Sequence, residues 1–286
     1  MTSPVASEVL TVERDGHVAT VWLDRPRARN AMGRAFWHDL PLVMAELAGD
    51  DSCRAVVVAA RGPHFSVGLD LKEMGAVLAG GEQPETDQAN GAGRLSPGAR
   101  AFRLRREILR LQASVTAVAE CPKPVIAAVH GYCIGGGVDL VSACDIRLAA
   151  QDAVFSVRET KMAIVADVGS LQRLPHIIGK SHVAELAYTG RDIGAARALD
   201  IGLVNHVHPD AASTVAAAQA LAAEIAANSP LVVQGTKAVL SACEDRSVAD
   251  GLEYVATYNA GMLQTDDLVE ATTAFLEKRP PRFQGR

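Results

Sequence analysis

Three apolar, β-branched runs, "HVATVWLD" (17–24), "CRAVVVAARG" (53–62) and "KPVIAAVHG" (123–131), do most to restrict what this chain can become. Short runs of this kind between turn signals read as strands buried on both faces, because an exposed face would alternate with polar residues. Between the first two lies "GRAFWHDLPLVMAELAGDD", where Phe36, Leu40, Val43, Met44 and Leu47 recur at helical spacing in spite of Pro41. A Gly- and Pro-rich stretch at 80–100 reads as a mobile loop. It leads into "AFRLRREILRLQASVTAVAEC", with Ile108, Leu111, Val115 and Val118 on one helical face and arginines on another. Buried strands that alternate with amphipathic helices predict an α/β core. From about residue 210 helix follows helix, broken at Ser229-Pro230 and at Arg279-Pro280-Pro281, and such a tail packs on its own core or on a neighbouring subunit.

A formal net charge of -5 gives no electrostatic reason to expect nucleic acid as a partner. Cys53, Cys121, Cys133, Cys144 and Cys243 form no CxxC pair, which disfavours a zinc site or a disulfide framework. His206 and His208 lack further ligands at metal spacing and read as a solvated strand edge. The first residues show no basic-then-apolar pattern, and no uncharged run reaches membrane-spanning length. The expectation is a cytoplasmic protein without a membrane partner.

"HGYCIGGGVDL" places its glycines where a strand turns into a helix, and "HFSVGLDLKEM" is a second strand end with a single glycine. Unpartnered backbone amides at such turns stabilise negative charge. The first motif lacks the spacing of a phosphate loop or a dinucleotide fingerprint and taken alone is equally a tight turn, and the second taken alone reads more as a plain βα turn. The segment 135–169 then carries five acids among apolar residues. Asp145 beside Arg147, and Asp152 in "AQDAVF", read as structural. Asp139, Glu159 and Asp167 sit at the edges of apolar runs, where an unpaired charge is costly, so they are paired, protonated or functional. Arg158, Lys161 and Arg173 are the candidate partners.

"DRPRARNAM", "FSVGLDLKEM", "PKPVIAAVHGYCIGGGVDLVSACDIRLAAQDAVFSV", "ADVGSLQRLPHIIG" and "LDIGLVNHV", in this order over nearly the whole chain, resemble the enoyl-CoA hydratase/isomerase (crotonase) superfamily. Asp after the triple glycine, Glu in the next segment and Asp in "ADVG" resemble its Δ3,5-Δ2,4-dienoyl-CoA isomerase branch. The resemblance implies an α/β, crotonase-like spiral of ββα units at 1–207. It also implies a C-terminal helical region at 208–286 that covers the active site and forms a homotrimer or homohexamer. The implied substrate is an acyl-CoA thioester, with no metal and no cofactor beyond the CoA it carries. Its carbonyl oxygen would lie between the amides of Leu69 and Gly136, with Glu159, Asp167 and Asp139 as catalytic acids. Arg27, Ala28, Val67, Asp70, Leu71 and Gly135 are the implied substrate and CoA contacts, and Lys278 or Arg279 would reach the phosphates of a neighbouring subunit's ligand.

The implied reaction moves the double bonds of a 3,5-dienoyl-CoA to 2,4, by proton removal at C2 and return at C6. One alternative is a 2-enoyl-CoA hydratase, whose usual pattern has Glu after the glycines and Gly where Asp167 stands. The other is a non-catalytic acyl-CoA-binding protein that keeps the fold. Thr160, Lys161 and Met162 depart from the isomerase pattern and put a cation next to Glu159 in sequence.

Overall fold

In the computed structural model, which describes residues 6–78 and 96–286, the three apolar runs are the adjacent strands β2 (Val18–Leu23), β3 (Ala55–Ala60) and β4 (Val125–Val129). They pair in parallel and every residue in them is buried, as strands covered on both faces require. β1 (Leu10–Asp15) adds to β2 antiparallel, and β6 (Ile146–Ala150) and β9 (His206–His208) extend the other side in parallel. The resulting order is β1-β2-β3-β4-β6-β9. A second sheet consists of β5 (Tyr132–Ile134), β7 (Val154–Ser156) and β8 (Ile193–Gly194). β4 and β6 in the large sheet are each followed by a strand of the small one, and β3 is followed by Ser66, which bridges to Cys133. This alternation is the strand-strand-helix repeat that the family resemblance implies.

α1 (Arg34–Gly49) and α3 (Pro97–Ala119) cover one face of the large sheet. All five residues expected on the inner face of α1 are buried, and so are Leu111, Val115 and Val118 of α3. Pro41 leaves α1 continuous because its missing N–H is replaced. The Trp37 carbonyl that Pro41 would have engaged accepts instead from Ser114 Oγ of α3 at 2.5 Å. α3 starts earlier than expected, with Ser96 Oγ accepting from the Ala99 amide as its cap. Residues 96–100 of the expected loop are thus the cap and first turn of α3, and the remainder, 80–95, lies outside the described residues.

The helical tail divides in two. α8 (Ala211–Ala226) lays Ala218, Ala222 and Ala226 on the outer sheet face against Trp22, Val57 and Ile126, where small side chains at four-residue spacing permit close approach. α9 (Pro230–Cys243), α10 (Val248–Met262) and α11 (Asp266–Glu277) instead leave Val232, Leu240, Val248, Leu252, Val269 and Phe275 each more than 60 % exposed. α9 is fixed to the core by Lys237, whose Nζ donates at 2.7 Å to Asp145 Oδ2, which also accepts from the Val125 amide at 2.7 Å. Asp145 is therefore structural, but its cation is Lys237. Its sequence neighbour Arg147 donates to the Leu203 and Cys144 carbonyls. Asp152 is exposed and accepts from the Gly131 amide, and His206 and His208 lie on the edge strand β9.

Candidate active site

The two glycine turns meet. Met32 forms a parallel bridge with Leu69, in which the Met32 amide donates to the Gly68 carbonyl (2.8 Å) and the Asp70 amide donates to the Met32 carbonyl (3.0 Å). That pattern turns the N–H of Leu69 away from Met32. A Cβ on Gly68 would stand 2.7 Å from the Ile134 carbonyl oxygen and 3.3 Å from the nitrogen of Gly136, so only glycine lets the two backbones touch here. Gly136 is the first residue of α4 (Gly136–Ser142), where a helix amide has no partner within the helix. Gly135 precedes it at φ 54°, with its amide donating to Ser156 of β7 at 3.0 Å.

A framework of polar side chains holds the segment that carries Leu69. Asn30, itself at φ 53°, accepts from the Arg25 amide and donates to the carbonyls of Arg61 and His64. Ser66 Oγ donates to the Asn30 carbonyl and accepts from the Gly68 amide. Asp70, expected to contact substrate, is engaged within the protein. One oxygen accepts from the amides of Lys72 and Glu73 at the start of α2 (Leu71–Leu78), and the other pairs with Arg25 at 3.3 Å. Arg27 is exposed and Ala28 half-buried in the turn Pro26–Ala28; Val67 is half-buried and Leu71 exposed beside the same segment. Lys278 stands exposed at the end of α11, and no described contact joins it to these residues. Arg279, the alternative cation, is held by Glu270 and Glu277.

The structure brings all three singled-out acids together. Asp139, in the first turn of α4, is 2 % exposed, and its Oδ1 accepts from the Ser170 amide at 2.6 Å, at the start of α5 (Ser170–Ile178). Glu159 opens a 3₁₀ turn (Glu159–Met162) just after β7; a Cβ on Gly135 would lie 3.1 Å from its Oε1, and its Oε2 is buried without a hydrogen-bond partner. Asp167 is half-buried on the loop between that turn and α5. Burial pushes Glu159 up to about 7, with the like charges of Asp139 and Asp167 adding to it. Burial likewise lifts Asp139 to about 6 against the pull of Ser170, and raises Asp167 above its ordinary value.

The expected counter-charges make their contacts elsewhere, although the Arg173 guanidinium still draws Asp139 down. Arg158 pairs with Asp192, Lys161 lies along Gly190, and Arg173 donates to Thr116 Oγ1 and the Val168 carbonyl. Thr160 Oγ1 donates to the Ala187 carbonyl of α6 (Lys180–Thr189), so the unexpected Thr160 and Lys161 are packed on α6 and the turn after it. Among the described residues no ion pair engages Asp139, Glu159 or Asp167, and no group of side chains is arranged to hold a metal ion. The supporting residues Asn30, Ser170 and Gln112, whose Nε2 donates to the Asp167 carbonyl at 2.6 Å, carry no sequence signal except that Asn tolerates the left-handed conformation. The site thus offers two unengaged amides beside three carboxyls that hold protons unusually well. That is equipment for enolising a thioester.

Comparison with known proteins shows the family. The family model described as "Enoyl-CoA hydratase/isomerase" matches residues 13–92 and 104–286. The mitochondrial Δ3,5-Δ2,4-dienoyl-CoA isomerase of Mus musculus is 48% identical over 264 residues, 92% of this chain and 77% of that protein. The peroxisomal Δ3,5-Δ2,4-dienoyl-CoA isomerase of Arabidopsis thaliana is 41% identical, with 96% of both chains covered. Among solved structures, an enoyl-CoA hydratase from Bacillus anthracis superposes with a TM-score of 0.85 at 31% identity, covering 98% of this chain and all of that one. The expected cytoplasmic location is overturned by relatives assigned to mitochondria and peroxisomes. It rested on unpaired cysteines and on the lack of a secretory pattern in the first residues, and neither observation bears on the choice between the cytoplasm and those compartments.

Proposed function

The chain belongs to the enoyl-CoA hydratase/isomerase family, and from that premise we propose that it converts a 3,5-dienoyl-CoA into the 2,4-dienoyl-CoA through a dienolate. The thioester oxygen lies between the amides of Leu69 and Gly136, which stabilise it as negative charge develops. A preorganised donor of this kind contributes about a hundredfold or more in rate. Glu159 takes the proton from C2, an assignment supported by its Oε1 lying against Gly135, one residue before the Gly136 amide. The C2–H electron pair enters the conjugated system, the double bonds move from 3,5 to 2,4, and a new C6–H bond takes its proton from Asp167. One fixed carboxylate does not serve both carbons, and two acids along the chain do. Exchange with water then returns a proton to Asp167 and removes one from Glu159.

Asp139 acts through Glu159. Its like charge helps hold Glu159 near about 7, where a base is matched to neutral pH. An acyl chain laid over half-buried Asp167 strips its remaining water and favours the protonated form the donor needs. Arg27, Ala28, Val67 and Leu71 line the path of the CoA, and Lys278 serves the CoA phosphates of a neighbouring copy. The exposed apolar side chains of α9–α11 pack in a homotrimer or homohexamer, and a monomeric mass by light scattering would remove that assembly.

The observation that carries the proposal is a cluster of three carboxyls with no ion-pair partner among the described residues, one of them with a buried oxygen that lacks a donor, set beside the Leu69 and Gly136 amides. A panel of 3,5-dienoyl-CoA and 2-enoyl-CoA esters tests it. The expected outcome is fast formation of the 2,4-dienoyl chromophore with slow hydration of crotonyl-CoA. The reverse ranking would support the hydratase reading, which the Bacillus anthracis neighbour favours and the extra Asp167 opposes.

A further inference from the structure

The Asp167 carboxyl is aimed by an irregular loop, 163–169, so something other than secondary structure must fix its direction. α3 supplies that support. On its inner side Ser114 donates to Trp37 of α1 and ties the helix to the core. On another face, one turn apart and therefore side by side, stand Gln112 and Thr116. Gln112 Nε2 donates to the Asp167 carbonyl oxygen at 2.6 Å. Thr116 Oγ1 accepts from Arg173 Nη2 at 3.2 Å, and Arg173 Nη1 reaches the next carbonyl, that of Val168, at 3.5 Å. Beyond the loop the Ser170 amide is held by Asp139. The peptide that carries Asp167 is thus clamped to α3 by Gln112, while Glu159 sits on a separate turn that, among the described residues, no hydrogen bond joins to α3.

We propose that Gln112 is a positioning residue for the proton donor at C6: its side-chain amide fixes the Asp167 peptide, and with it the direction of the Asp167 carboxyl. The inference rests on the dienoyl-CoA reading. Its consequence is that the two ends of the reaction separate. Removal of the C2 proton needs Glu159 and the two amides, whereas delivery at C6 also needs the Gln112 clamp. A dienolate formed without a well-placed donor at C6 is reprotonated at C2, so in heavy water the substrate gains deuterium at C2 without changing its double bonds.

The test uses the full-length protein with a 3,5-dienoyl-CoA in heavy water, following deuterium at C2 by mass spectrometry and 2,4-dienoyl-CoA by absorbance. Gln112→Leu should lower the isomerisation kcat by about ten- to a hundredfold at a little-changed KM, the size expected for a misplacement of about 1 Å. C2 exchange should stay within about threefold of wild type in the same variant. Gln112→Glu keeps the side chain's size and gives a pH signature. The introduced carboxyl donates to the Asp167 carbonyl only when protonated, so the isomerisation rate relative to wild type should rise as pH falls from about 8 to about 5.5. Wild-type isomerisation in Gln112→Leu, or loss of exchange in step with isomerisation, overturns the positioning role while wild type remains active. Failure of the wild-type protein to isomerise any 3,5-dienoyl-CoA overturns the reading beneath it, a distinct result.

Discussion

Two groups of acids in this chain have had opposite fates. Asp139 and Asp267 are equally buried, each 2 % exposed, yet burial lifts Asp139 to about 6 whereas Asp267 stays below its ordinary value. Burial pushes Asp267 up as well, but the Ser229 hydroxyl and the amides of Gln284 and Gly285 donate to it and outweigh that push. Its neighbour Glu270 receives Arg279 and the Arg282 amide and is held down to about 2. Asp139 receives one backbone N–H, and Glu159 keeps a buried oxygen with no donor. Low exposure alone therefore does not separate the two groups. Asp139 lies deeper in the protein than Asp267 and also has fewer donors, and the group left short is the one beside the Leu69 and Gly136 amides.

If the contrast is functional, the largest effects belong to the undersupplied group. Glu159→Gln, which keeps shape and removes the base, should lower isomerisation of a 3,5-dienoyl-CoA by about a thousandfold, within the usual range for general base catalysis. Asp167→Asn should do the same; near-normal turnover in either variant would refute the assignment. With Glu159 as the base in free enzyme, kcat/KM should climb as pH rises through about 7, where it loses its proton. A profile that falls there would exchange the roles of Glu159 and Asp167.

The well-supplied group should give a different readout. Asp267→Ala leaves a buried hydroxyl and two amides without an acceptor and releases the tail that Arg54 also holds through the Phe283 carbonyl. Denaturant titration should show a loss of about 2–4 kcal/mol, with kcat per folded enzyme little changed. A selective fall in kcat at unchanged stability would break the distinction between the two groups.

The sequence made one half of this contrast visible and hid the other. Strands β2, β3 and β4 and the inner faces of α1 and α3 were legible because their signals are local periods. Asp139, Glu159 and Asp167 were legible as acids at the edges of apolar runs, but whether each had a partner was not. Arg158, Lys161 and Arg173 stand close by in sequence and are reasonable partners, yet the fold sends Arg158 to Asp192 and Lys161 to Gly190, and Arg173, bonded to Thr116, reaches Asp139 only through its field. The contacts that decided the matter are distant: Gln112 reaches Asp167 across 55 residues, Ser170 reaches Asp139 across 31, and Lys237 reaches Asp145 across 92. The glycine turns had the same weakness. Each was an ordinary turn until Gly68 was found against Gly136, and only the family resemblance had joined them beforehand.

A smaller effect, of opposite sign to that at Asp267, tests whether the undersupplied acids are kept at a cost to the fold. Asp139 holds its proton more tightly when folded, titrating at about 6 against an ordinary 3.8, so its contribution is fully present below about 3.8 and is lost as pH rises through about 6. At pH 8 the ionised, buried carboxylate therefore destabilises the native state. Asp139→Asn retains an oxygen to accept from the Ser170 amide and removes the charge, so it should stabilise the protein by about 1–3 kcal/mol at pH 8 and by almost nothing near pH 4. Losing that like charge should also move the Glu159 titration below about 7, carrying the rise of kcat/KM to lower pH. A variant that is less stable at pH 8, with the profile unmoved, would mean that Asp139 is supplied with donors as well as Asp267 is, and the contrast between the two groups would close.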